Sequence, residues 1–124
     1  MQNITSPRTD DQGIEQEIIA KGLTAPRVTP QDIEDNITSE HYFTAGDGVV
    51  GSDFENGPAP YPDALDLLTF CVLVLRNGFS VIGESACASP ENFDAEIGRK
   101  IARENAKQKI WPLMGYELRS KLQA

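Results

Sequence analysis

A chain of 124 residues with 40% hydrophobic content can bury one modest core, and a core of that size is marginal alone, so self-association is expected. Nineteen acidic against eleven basic residues give a net charge of −8, which opposes the backbone contacts that duplex nucleic acid requires yet leaves room for a small anion held by local arginines. The longest apolar run, Leu67 to Leu75, is nine residues and too short to span a bilayer, and the first residues lack a basic patch followed by an apolar stretch. No membrane partner and a cytoplasmic location are therefore expected.

Residues 1–9 are polar and read as a disordered tail, with residues 10–124 as a single domain. From Asp10 to Lys21, Ile14 and Ile18 lie four apart beside Ile19, and Gly22 stands as a C-terminal stop, which predicts a short amphipathic helix. Thr29-Pro30-Gln31-Asp32 combines a capping threonine, proline at the first helical position and an acid in the first turn. The helix it opens is expected to bury Ile33 and Ile37 and to close on His41, Tyr42 and Phe43. His41 is the one histidine of the chain and reads as a packed or surface residue, since no second histidine could share a metal with it.

Four glycines and three prolines fall within the nineteen residues from Ala45 to Asp63, which predicts a long loop, either a ligand lid or a variable connection. Gly46-Asp47-Gly48 lacks the spaced acids of a calcium loop, and no glycine run precedes Lys-Ser or Lys-Thr as a phosphate loop requires.

Asn77-Gly78 separates two β-favouring runs and predicts a hairpin with a two-residue type I′ turn. In that register Val74 faces Val81 and Leu68 faces Cys87. Phe70, Val72 and Val74 then oppose Ser85, Gly83 and Val81, while Cys71, Leu73 and Leu75 oppose Glu84, Ile82 and Ser80. Cys71 and Cys87 fall on opposite faces, so both are expected reduced. The first strand is apolar on both faces and calls for cover on both, from the chain's own helices and from another subunit.

A long helix follows, capped at Ser89 or at Asn92, and runs to Ile110, where Trp111-Pro112 ends or kinks it. Ile97, Gly98, Ile101 and Ala102 share one arc with Asn105 in its middle, and Arg99 and Arg103 lie on the adjoining arc. A last short helix carries Leu118 and Leu122. The sum is an α+β fold: an antiparallel β-hairpin or small sheet packed against a long C-terminal helix, with one or two N-terminal helices.

The candidates for chemistry are few. Arg99 and Arg103 suit phosphate oxygens, or else lace an exposed helix face through Glu96, Lys100 and Glu104. Asn105 on an apolar arc either hydrogen-bonds strand or loop backbone or lines a cavity. Phe79 and Phe93 could stack on a base or belong to the core, and Asn92 at a helix start offers an amide beside open N–H groups. No paired carboxylates, nucleophile beside the histidine, metal cluster or cofactor motif stands out, so no enzymatic activity is expected.

Leu68-Thr-Phe-Cys-Val-Leu-Val-Leu-Arg-Asn-Gly-Phe79, Gly83-Glu-Ser-Ala86, Pro90-Glu-Asn-Phe-Asp94, Gly98-Arg-Lys-Ile-Ala-Arg-Glu-Asn-Ala106 and Ile110-Trp-Pro-Leu-Met-Gly-Tyr116 together resemble the gp-forty-nine-like family of small tailed-phage and prophage proteins, over about residues 28 to 122. More distantly, the resemblance implies kinship with phage anti-Thoeris sponges, oligomeric proteins that bind a cyclic ADP-ribose signal without cleaving it. The carry-over falls on Phe79, Asn92, Arg99 and Arg103. The expected function is thus a non-enzymatic phage protein of the host cytoplasm, homo-oligomeric, that sequesters a small cyclic nucleotide. The alternative is an interaction module whose acidic surface contacts a host protein.

Overall fold

The computed structural model describes residues 10–53, 55 and 60–124, so the expected tail at 1–9 and part of the expected loop lie outside it. The elements are α1 (Asp11–Ala20), α2 (Pro30–Asp35), β1 (Ile37–Thr44), α3 (Ala45–Ser52), β2 (Leu68–Leu75), β3 (Ser80–Ala86), α4 (Ala95–Gln108) and α5 (Ile110–Gln123), with 3-10 turns at Asp63–Leu67 and Pro90–Asn92. The architecture is α+β, as expected. The chain forms two compact units, one of residues 37–110 and one of the residues before Ile37 together with Trp111–Ala124.

In the second of these units α1 starts at Asp10, whose carboxylate accepts from the Gly13 N–H. It ends where Gly22 takes φ +70°, with Gly22 N–H bonding Ile19 O at 3.0 Å and Leu23 N–H bonding Ile18 O at 3.1 Å. These two bonds satisfy carbonyls that the helix end would otherwise leave open. Arg27 grips Glu15 through both terminal guanidinium nitrogens, Nη1 and Nη2, at 2.5 and 2.7 Å. The Trp111 indole N–H donates to Asp11 Oδ2 at 3.3 Å. α2 opens on a reciprocal cap, Asp32 N–H to Thr29 Oγ1 at 3.1 Å and Thr29 N–H to Asp32 Oδ2 at 3.0 Å, and buries Pro30 and Ile33.

α2 is shorter than the isoleucine spacing predicts. It stops at Asp35, and residues Ile37–Thr44 form a strand instead. Ile-Thr-Ser-Glu-His-Tyr-Phe-Thr is rich in β-branched and aromatic residues, and pairing with β2 outweighs the single i, i+4 isoleucine pair. Ala45–Ser52, expected as loop, is a helix despite its glycines. Thr44 and Asp47 repeat the reciprocal cap of α2, with bonds of 3.0 and 2.9 Å. Gly46 seats the helix closely against Tyr61 and Asp66, where the Tyr61 hydroxyl donates to Asp66 Oδ1 at 2.7 Å. That bond, with burial second, holds the Tyr61 hydroxyl protonated above its ordinary range.

The other unit holds a three-stranded antiparallel sheet in the order β1-β2-β3. Its hairpin loop has three residues rather than two. Arg76 and Asn77 keep negative φ and Gly78 alone turns positive, at +89°, while Gly78 N–H bonds Leu75 O at 2.9 Å and Leu75 N–H bonds Phe79 O at 2.8 Å. This is a type I turn followed by a left-handed glycine. Every pair therefore shifts by one: Leu73 faces Val81, Cys71 faces Gly83 and Phe70 faces Glu84. A two-residue turn would have set Glu84 and Ile82 beside Cys71 and Leu73 on the helix-covered face, whereas the longer loop keeps the carboxylate off it.

α4 packs on β2 and β3. Thr69, Cys71, Leu73 and Leu75 of β2 and Val81 of β3 are buried, as are Gly98, Ala102 and Ala106 of α4. The opposite face carries Phe43, Phe70, Val72, Val74 and Ile82, with the Phe43 and Phe70 rings 5.6 Å apart. Both cysteines are free. The reason differs from the one expected: Cys87 follows β3 four residues beyond Gly83, the partner of Cys71, a separation of about 13 Å along a strand, which a disulfide cannot bridge.

Candidate functional site

The cap of α4 is neither Ser89 nor Asn92 but Asp94, whose Oδ1 accepts from Ile97 N–H at 3.0 Å. Pro90–Asn92 form a separate 3-10 turn before it. From Asp94 the helix keeps small residues at 98, 102 and 106, one turn apart, and these let its backbone close on the sheet. A Cβ at Gly83 would collide with the Ala102 carbonyl oxygen and the Ala106 backbone nitrogen, and one at Gly98 would meet Thr69 Oγ1 at 3.2 Å. The arc expected to be buried is thus rotated by one residue. Ile97 and Ile101 are 52% and 39% exposed, and the small residues beside them are buried.

With that stripe fixed, about 100° per residue places Arg99, Arg103 and Lys107 on one flank and Ile97, Ile101 and Asn105 on the other. The first flank looks toward β1. Arg103 Nε donates to Glu40 Oε2 at 3.1 Å, and the Tyr42 hydroxyl donates to Glu40 Oε1 at 3.0 Å. Glu40 is thereby shared between a guanidinium and a phenol. Burial, and then the bond to Glu40, push the Tyr42 hydroxyl well above its ordinary range, and burial likewise pushes up the neighbouring Cys71 thiol. Arg99, one turn before Arg103, is exposed. Lys100 and Lys107 pair along the helix with Glu96 and Glu104, at 3.5 and 3.7 Å.

On the second flank the Asn105 Nδ2 donates to the Glu84 carbonyl at 2.8 Å. This amide serves strand backbone, one of the two roles open to it. Phe79 stands at the hairpin end, 57% exposed. Asn92 sits in the turn ahead of α4, its backbone N–H bonded to Ser89 O at 3.0 Å. Since Gly98 lies against Thr69 and Ala106 against Gly83, the C-terminal half of α4 is the half nearer the hairpin turn. Phe79 and Asn92 therefore belong to opposite ends of a helix about 21 Å long. Of the five candidates, Arg99 and Arg103 are brought together, Asn105 is on the other flank, and Phe79 and Asn92 are far apart within one chain.

Glu40 and Tyr42 were not among the candidates, because residues 38–44 read as the end of a helix. The signal that could have found them is the alternation of Ser39, Glu40, His41, Tyr42 and Phe43, which sends Glu40 and Tyr42 to one face of a strand. His41 is exposed on the other face, its Nε2 3.2 Å from Ser39 Oγ. No helix among the described residues is long and apolar enough to cross a membrane.

These features define a small α+β protein in which one helix, seated on a three-stranded sheet by small residues, carries a basic flank. A family model described as Phage protein (N4 Gp49/phage Sf6 gene 66) matches residues 28–122, and the chain belongs to that family. The match takes in the whole sheet, α4 and most of α5. No curated protein and no solved structure matches the chain.

Proposed function

We propose that this phage-family protein is a non-enzymatic binding protein of the host cytoplasm that takes up a small nucleotide messenger, of the cyclic ADP-ribose kind, and withholds it from a host defence. The observation that carries this reading is the basic flank of α4, where Arg99 and Arg103 are one turn apart and Glu40 fixes the Arg103 guanidinium. Fixed guanidinium groups recognise phosphate oxygens at a smaller entropic cost than free ones. Phe79 or Asn92 supplies a stacking face or an amide from one end of the helix, and Asn105 serves the fold.

A thermal-shift screen against cyclic nucleotides and ADP-ribose derivatives tests it, because a ligand at a hundred times its Kd stabilises by about 2.7 kcal/mol. A flat screen would overturn the proposal. With a hit in hand, Arg99→Ala should weaken binding about ten- to a hundredfold, the loss of one charge-assisted hydrogen bond of roughly 1.5 to 3 kcal/mol, with little change in melting temperature. Arg103→Ala is the less clean probe because it also strips Glu40 of its cation.

A second reading, an interaction module for a host protein, draws support from the sheet face opposite α4. Phe43 and Ile82 are 38% and 40% exposed there. A host partner would leave the nucleotide screen flat and would be lost on substituting Phe43 rather than Arg99.

A further inference from the structure

The tip of the hairpin sets a side-chain amide beside a backbone nitrogen that can attack it. Asn77 and Gly78 are both exposed, and even a Cβ at Gly78 would meet nothing within 4 Å. In an Asn-Gly pair the glycine nitrogen can close a five-membered ring on the preceding carboxamide, because glycine has no side chain to crowd the approach or restrict the backbone. The attack needs the Gly78 N–H to lose its proton first, since the lone pair of an intact peptide nitrogen is delocalised into its carbonyl.

In the closed turn both reacting groups are engaged. Gly78 N–H donates to the Leu75 carbonyl at 2.9 Å. Asn77 Oδ1 accepts from Phe79 N–H at 3.0 Å, which holds the carboxamide in one orientation. Leu75 N–H donates to Phe79 O at 2.8 Å and ties the base of the loop. The bond that defines this turn thus also holds the proton whose removal starts the reaction. A backbone proton held in this way is lost when the turn opens, as in amide hydrogen exchange.

We propose that Asn77 is a site of spontaneous deamidation gated by the hairpin, protected while the turn is closed and converted to aspartate and isoaspartate when it opens. Hydroxide takes the Gly78 proton, the nitrogen bonds to Asn77 Cγ, and the Cγ–Nδ2 bond breaks. The released nitrogen leaves as ammonia with a proton supplied by water, and nothing is oxidised or reduced. Water then adds to the cyclic imide. Opening at Cγ gives aspartate, and opening at the main-chain carbonyl gives isoaspartate, whose backbone runs through the former side chain. Either product adds one negative charge. Isoaspartate also puts an extra methylene into the main chain of the loop and removes the side-chain acceptor of Phe79 N–H, so the closed turn cannot re-form as it was. The hairpin in this way keeps a chemical record of its own opening. The inference is independent of the nucleotide reading.

Peptide mapping by mass spectrometry tests it, on the intact chain aged in mildly alkaline buffer with and without concentrated urea. A second Asn-Gly pair, Asn56-Gly57, lies outside the described residues and serves in urea as an internal standard for the chemistry. The two pairs should convert at similar rates in urea. In the folded protein Asn77 should convert about tenfold or more slowly than in urea, in step with slow exchange of the Gly78 N–H. Both aspartate and isoaspartate should appear, the signature of the ring. Conversion as fast in the folded protein as in urea, conversion to aspartate alone, or a Gly78 N–H that exchanges without protection would each overturn the proposal. Asn77→Gln, which would need a six-membered ring, should abolish the reaction at this position. Should that variant fail to fold, the rates measured on the unaltered protein still decide.

Discussion

At the scale of single residues, the pair of Glu15 and Arg27 ties the chain between α1 and α2 back onto α1 through two hydrogen bonds. The Arg27 guanidinium holds the Glu15 carboxyl below its ordinary range, outweighing the opposite effect of burial. A carboxylate whose folded pKa is lowered stabilises the folded state fully above the unfolded value of about 4.5, and that contribution is lost as pH falls through the lowered folded value. Melting curves of the parent and of Glu15→Gln should therefore differ at pH 7 and converge on acidification toward pH 3. Curves that stay parallel over that range would show the pair contributes nothing that titrates. Neither Glu15 with Arg27 nor Glu40 with Arg103 was legible in the sequence, because each joins residues with no periodic relation. Asn105 was legible as a choice of two roles, since a polar residue on an apolar arc must find a partner.

At the scale of elements, the hairpin and the long helix follow from local chemistry, and what local chemistry leaves open is where the errors of reading fall. An Asn-Gly pair marks a turn, but loop length is decided by which face of β3 the core accepts. The isoleucine spacing marks a helix, but its end is decided by whether β2 has a neighbour to pair with. The helix at Ala45–Ser52 carries a capping signal, Thr44 with Asp47, identical in spacing to Thr29 with Asp32. Its glycines hide it, since each costs a helix about 1 kcal/mol against alanine. The seat of α4 on β3 depends most on one missing methyl. Gly83→Ala drives a Cβ into helix backbone, which cannot rotate aside as a side chain can. Overpacking of this kind costs typically 1–3 kcal/mol, and backbone against backbone belongs at the upper end. Urea unfolding should show a loss of about 3 kcal/mol for Gly83→Ala and a gain of up to about 1 kcal/mol for alanine at the exposed, helical Gly48, whose Cβ would meet nothing within 4 Å. Equal losses at both positions would argue that α4 is not seated on β3 in solution.

For the whole molecule, the net charge of −8 bears on association as well as on partners. Where copies of the chain associate, as its small core leads one to expect, their carboxylates repel across the complex, and salt screens that repulsion more than it weakens an apolar seam. Self-association measured by sedimentation should tighten between 10 and 150 mM salt, where the Debye length falls from about 30 Å to about 8 Å. Association that weakens with salt would point to a seam built on ion pairs. The acidic balance and the doubly apolar β2 were both visible in composition. The division of the chain into two units was not, since the unit of residues 37–110 interrupts the other, and that is a property of contacts between distant segments. The three-residue loop at Arg76, Asn77 and Gly78 has a further consequence for how this chain can vary in length. Side chains of β3 alternate between the α4 side and the open side, so the loop acts as a parity bit for everything after it. Losing or gaining one residue there exchanges the two faces of β3, putting Glu84 where Gly83 now admits the helix, whereas a change of two restores the faces. Length drift in this loop is thus confined to even steps unless β3 acquires a compensating bulge.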